Sequence, residues 1–124
     1  MDQSMQSDFV VETHTNGRAI TLTMSGELDL LSAPVLEQAL GRLAEPDVDL
    51  IILDLRGLGF MDSTGLHLLV QAQQQAHDSG RSFALVRGGE QVQRLLDVTG
   101  VADALTIVDS PAELLEVDRA PGAS

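Results

Sequence analysis

The chain has 124 residues, seven basic against nineteen acidic, for a formal net charge of −12. Every basic residue is arginine, and lysine, cysteine, tryptophan and tyrosine are absent, which excludes a Schiff-base or P-loop lysine, thiol catalysis and a disulfide or zinc-thiolate scaffold. The acid excess argues against nucleic acid and anionic membranes, and apolar runs stop at four residues, as in Leu50–Leu53, far short of the ~20 a membrane helix needs.

One α/β domain is expected over residues 9–118, with residues 1–8 and 119–124 reading as flexible tails. Nothing in the polar start MDQSMQSD marks the chain for export, so a cytoplasmic location is the default. Phe9 to Thr13 and Ile20 to Ser25 read as two strands, the second with Ile20, Leu22 and Met24 alternating with polar neighbours. Asn16-Gly17 between them suits a type I′ turn. Leu36, Ala39, Leu40 and Leu43 share a helical face after the start signal Ser32-Ala33-Pro34. Leu50–Leu53, ending at Asp54, reads as a strand covered on both faces. A second helix is predicted from about Ser63 to Ser79, with Leu66, Leu69, Val70 and Ala76 inward and Gly80 as its stop. Phe83–Val86 is another buried strand. Val92, Leu95, Leu96 and Val98 mark a third helix and Leu105–Val108 a last strand. Ser110-Pro111-Ala112-Glu113 is a capping box opening a final helix to about Val117. The order is ββαβαβαβα, a mixed and mostly parallel sheet with helices packed against it, and its working edge is expected at the strand carboxyl ends.

Two segments read as loops at that edge. In Gly59-Phe60-Met61-Asp62-Ser63-Thr64-Gly65-Leu66, either Asp62 or Ser63 can cap the second helix. Plain capping, however, needs only one small polar residue, and Gly65 in the first turn costs about 0.5–1 kcal/mol relative to alanine. That glycine leaves the backbone bare beside Ser63, open to a protein partner. Ser25-Gly26-Glu27-Leu28-Asp29 is the second, a turn closed by Gly26 that brings Asp29 to the same edge as Asp62.

GELD at 26–29 and FMDSTGL at 60–66, set in this element order, resemble the STAS domain and specifically the small anti-sigma factor antagonists of bacteria. The resemblance runs from about Phe9 to Val117. It implies a switch protein without catalysis, cofactor or metal of its own, in which Ser63 is phosphorylated by an anti-sigma factor that is also a serine kinase of the histidine-kinase-like ATPase fold. The unphosphorylated form binds that partner and frees the sigma factor, and a metal-dependent serine phosphatase resets the switch. Glu27, Asp29, Asp62, Thr64 and Gly65 match the partner-facing positions, with Thr64 a weaker candidate for modification than Ser63. At a helix N-terminus the dipole and free amides should tolerate a phosphate on Ser63.

Three rivals are weighed against this. A hydrolase built on Asp62, Ser63 and His67 lacks the nucleophile-elbow glycine, since position 61 is methionine, and lacks an oxyanion site; His14 and His77 read as solvated. A phosphoacceptor receiver with Asp54 at a strand end would resemble a pattern that includes a lysine, and there is none. Within the STAS family, the alternative is a subunit of a transport complex or sensory scaffold without phospho-switching.

Overall fold

The computed structural model describes residues 9–43 and 47–114. The hairpin opens it: β1 (Val10–Asn16) pairs antiparallel with β2 (Ala19–Leu28). Asn16 pairs with Ala19, so the two-residue loop is Gly17-Arg18 rather than Asn16-Gly17. Gly17 has φ +63°, and among the described residues none other than glycine has a positive φ. Positive φ at the first loop residue alone is the demand of a type II′ turn, which is why glycine stands there and the predicted type I′ turn does not form.

Helix α1 (Ala33–Gly41) leads to β3 (Leu50–Met61), α2 (Ser63–Asp78) to β4 (Ser82–Val86), and α3 (Glu90–Val98) with a 3-10 turn (Val101–Ala104) to β5 (Ile107–Val108). The strands lie in the order β1-β2-β3-β4-β5, and every pair after the hairpin is parallel. A helical turn follows over residues 111–114, completing the predicted ββαβαβαβα order. The predicted pair caps its start, but each bond falls one residue earlier than in a capping box: Ser110 Oγ accepts from Ala112 N at 3.0 Å, and Glu113 Oε2 accepts from Asp109 N at 3.1 Å. The predicted continuation to Val117 lies outside the described residues.

Alternation gives the sheet its dry side. Ile20, Leu22 and Met24 from β2 join Leu53 and Leu55 of β3 and Leu85 of β4 in one buried cluster with Leu36 of α1, Leu69 of α2 and Leu96 of α3. At about 25 cal/mol per Å² of apolar surface, this shared core is the main favourable term holding the helices on the sheet. Helical spacing overreached at two positions, because Val70 and Val98 are exposed while Leu68 and Ala72 turn inward.

The larger departure lies at the strand ends. The segment 25–28, predicted as loop, is the end of β2, and β3 runs past Asp54 to Met61. The two extensions pair with each other, Ser25 with Gly57, Gly26 with Leu58, Glu27 with Phe60 and Leu28 with Met61, through two register shifts. Glycine permits this: a Cβ on Gly57 would stand 2.6 Å from the Met24 carbonyl oxygen, and Gly26 has φ +100°. Asp54 is therefore mid-strand, not at a strand end.

Candidate functional site

The extended ends of β2 and β3 carry the two singled-out segments to one edge of the sheet. Leu28 and Met61 are fully buried neighbours, and Asp62 N donates to the Leu28 carbonyl at 3.1 Å. Only Asp62 separates β3 from α2, so the predicted loop 59–66 is a strand end, a cap and a first helical turn.

Asp62 is the N-cap. Its Oδ1 accepts from Thr64 N at 2.9 Å and Gly65 N at 3.2 Å, and its carbonyl accepts from Leu66 N at 3.0 Å. One side chain thus takes the cap that Asp62 and Ser63 were both eligible for. Ser63, the first helical residue, is exposed, and its hydroxyl has no hydrogen bond to the described residues. His67 is exposed too and makes no bond to Ser63, so the residues of the hydrolase rival do not assemble.

Gly65 does the opposite of what its position suggests. It is buried, and a Cβ there would meet Met61 Cγ at 2.7 Å and Leu28 Cγ at 2.8 Å. Glycine at 65 lets α2 sit directly on the last residues of β2 and β3. It does not bare the backbone to a partner; Thr64, half-buried, lies between it and the exposed serine.

Asp29 is likewise committed to structure. Its Oδ1 accepts from Leu31 N and Ser32 N, both at 3.1 Å, closing an Asx turn. Ser32, only 1% exposed, donates to the Glu27 carbonyl at 2.7 Å and accepts from Asp29 N at 2.9 Å. The turn pushes Leu30 and Leu31 into solvent at 71% and 77% exposure, and Phe60 is 40% exposed on the neighbouring strand. Glu27 is exposed. The edge therefore shows a hydroxyl, acidic groups and three large apolar side chains. Sequence reasoning passed over the apolar three.

Away from this edge, Asp54 is 3% exposed. Burial pushes its carboxyl up, but the Arg56 side chain, at 3.0 and 2.8 Å, and the Arg56 amide, at 3.1 Å, outweigh that and hold it below the ordinary aspartate value. A carboxylate so bonded inside a strand is a structural ion pair, not the exposed acceptor of a receiver. Among the described residues no three His, Cys, Asp or Glu side chains are grouped to hold a metal, and no helix is long and apolar enough to cross a membrane.

The comparisons with known proteins agree with this mixed sheet opened by a hairpin. The STAS domain family model matches residues 10–114, and the chain belongs to that family. It is 38% identical over 97 residues to the anti-sigma-B factor antagonist of Bacillus subtilis, across 78% of this chain and 88% of that one. A second relative, the anti-sigma-B factor antagonist of Staphylococcus epidermidis, is 28% identical across 78% and 90%. Among solved structures, an anti-sigma factor antagonist from Mycobacterium paratuberculosis superposes with TM-score 0.82 at 23% identity, covering 90% of this chain and 95% of that one. The anti-sigma factor antagonist SpoIIAA in its unphosphorylated form does so with TM-score 0.70 at 20% identity, covering 90% and 96%. These structural likenesses establish the fold.

Proposed function

We propose that this STAS domain is an anti-sigma factor antagonist whose binding is switched off by phosphorylation of Ser63. The observation that carries the proposal is the division of labour at the α2 start, where Asp62 makes the cap and leaves the Ser63 hydroxyl exposed and unbonded. The names of the relatives, antagonists of anti-sigma factors, support the same reading.

The partner is an anti-sigma factor that is also a serine kinase of the histidine-kinase-like ATPase fold, and the setting is the bacterial cytoplasm. The antagonist contributes no catalysis and holds no cofactor. In the kinase complex, Ser63 Oγ forms a bond to the terminal phosphorus of ATP, ADP leaves with the broken bond's electrons, and the hydroxyl proton passes to a base on the kinase. A metal-dependent serine phosphatase restores the hydroxyl. Leu30, Leu31 and Phe60 supply apolar contact, with Asp62, Thr64 and Glu27 as the polar rim; Asp29 and Gly65 act by shaping the edge.

The electrostatics favour release over internal rearrangement. A phosphate brings about −1.5 to −2 charges. The amides of Thr64, Gly65 and Leu66 are already bonded to Asp62, so the helix start does not offer them to the phosphate as its sequence position suggests. The arginines flanking Ser63 in the sequence are committed as well, Arg56 to Asp54 and Arg81 to the Leu43 carbonyl. The new charge thus stays on the surface beside Asp62, and a partner packed on that edge must desolvate it.

The test is incubation with the kinase and ATP followed by mass spectrometry. Phosphate is expected on Ser63, with Ser63→Ala binding the kinase constitutively and Ser63→Glu binding about 100-fold more weakly, or about 2.7 kcal/mol. Phosphate found only at other residues, or on none, overturns the proposal.

A further inference from the structure

We infer that Gln91 is a positioning residue for Ser63, holding from α3 the strand end that presents the serine. The functional half of this inference rests on the reading of Ser63 above; the structural half does not. β3 pairs with β4 only over Leu50–Asp54. Beyond that stretch β3 runs on to Met61 with no strand among the described residues on its β4 side, while β2 stays paired on the other. The vacated side is filled from the start of α3. Gly88 lies so close that a Cβ would stand 2.9 Å from the Leu55 carbonyl oxygen.

At Met61 the Gln91 carboxamide takes over. Its Oε1 accepts from Met61 N at 2.9 Å, and its Nε2 donates to the Met61 carbonyl at 3.0 Å. A carboxamide offers the same donor and acceptor pair as a peptide group, so this side chain supplies one rung of the missing ladder. On the opposite flank Asp62 N is bonded to the Leu28 carbonyl. The two residues before Ser63 are therefore tied to α3 on one side and β2 on the other.

Removing the Gln91 rung leaves the N–H and carbonyl of the fully buried Met61 without that partner and the strand-to-helix junction held from β2 alone. Ser63 then samples orientations other than the one seen. A partner that accepts a single orientation meets only the competent fraction, so its apparent affinity falls by that fraction while the chemistry after binding is unchanged. The signature is a KM effect without a kcat effect.

Gln91→Met and Gln91→Glu separate positioning from general damage. Methionine keeps the length and helix propensity at a residue whose body is exposed. Glutamate keeps the acceptor for Met61 N, loses the donor to the Met61 carbonyl, and suits the first turn of α3. In Gln91→Met the thermal midpoint is expected to fall by a few degrees, while amide hydrogen exchange at Met61 accelerates by about tenfold or more and Ser63 loses order in backbone relaxation. Gln91→Glu falls between the two, and protonating its carboxyl at low pH restores protection. With the kinase, KM for Gln91→Met rises as the inverse of the fraction of Ser63 that keeps the wild-type orientation in the relaxation measurement, and kcat holds. Unchanged exchange at Met61 together with unchanged order at Ser63 overturns the inference, as does a fall in kcat with KM intact. A wild-type chain that takes no phosphate at Ser63 overturns the proposed function instead, and the exchange measurements still decide the role of Gln91.

Discussion

The starts of α1 and α2 are built from the same letters and reach opposite ends. At α1, Asp29 and Ser32 bond to each other and the Ser32 hydroxyl donates to the Glu27 carbonyl, so the serine at the N-cap position is buried although its hydroxyl bonds no helix amide. At α2, Asp62 is the N-cap and Ser63 falls one place later, outside the cap and in solvent. A shift of one position relative to the cap converts a serine from a structural fastening into a reagent. Exposure follows from whether the hydroxyl is tied to neighbouring backbone, as Ser32 is to Glu27 and Asp29, or left over once another residue has capped the helix, as Ser63 is.

Substitutions at the two junctions test this contrast. The largest stability loss is expected from Gly65→Ala, whose methyl overlaps Met61 and Leu28; about 2–3 kcal/mol should be lost in urea unfolding. A loss under about 0.5 kcal/mol would mean that α2 does not rest on the strand ends as closely as the contacts state. Arg56→Met, a control away from both junctions, should cost about 2 kcal/mol at neutral pH by leaving the Asp54 carboxylate buried without its partner. Because the folded state lowers the Asp54 pKa, the pair's stabilisation is present above the unfolded value and is lost as pH falls through the folded one. The cost of Arg56→Met should therefore shrink below about pH 4, and acid titration of both proteins checks it.

Ser32→Ala strands the Glu27 carbonyl and Asp29 amide and should cost about 1–2 kcal/mol. Asp62→Ala removes the cap from two amides and should cost about 1 kcal/mol, with faster amide exchange at Thr64 and Gly65. The smallest effect is expected from Ser63→Ala, within about 0.5 kcal/mol, since its hydroxyl bonds to nothing in the described fold. Equal losses from Ser32→Ala and Ser63→Ala would erase the distinction between the two serines.

Most of the element order was readable because each core helix and strand carries its own periodicity, as in Ile20, Leu22 and Met24 or Leu66 and Leu69. The strand ends were not, since Gly26, Arg56, Gly57 and Gly59 are locally loop-like and become strand only by pairing across β2 and β3. At the site, Ser63 and Asp62 stood out from their spacing before the helix. The inward role of Gly65 depends on Leu28, far away in sequence, and Gln91 reaches Met61 across 30 residues, so neither has a local signature. Leu30 and Leu31 were passed over because an apolar pair after a strand reads as core until the Asx turn of Asp29 shows it facing out.

The two register shifts between β2 and β3 carry an arithmetic of their own. Pairing runs from Thr23 with Asp54, to Ser25 with Gly57, to Glu27 with Phe60, so β3 gains one residue on β2 at each shift. β2 keeps its period of two from Ile20 to Leu28, whereas the core residues of β3 step by three, from Leu55 to Leu58 to Met61, one extra residue being taken up at each shift. Each shift returns β3 to the core face by itself, and Leu28 and Met61 end opposite each other, both fully buried. Each extra residue therefore lengthens β3 without turning Ser63 to the other face, and losing one residue from Gly57–Gly59 should shorten the strand end rather than invert it.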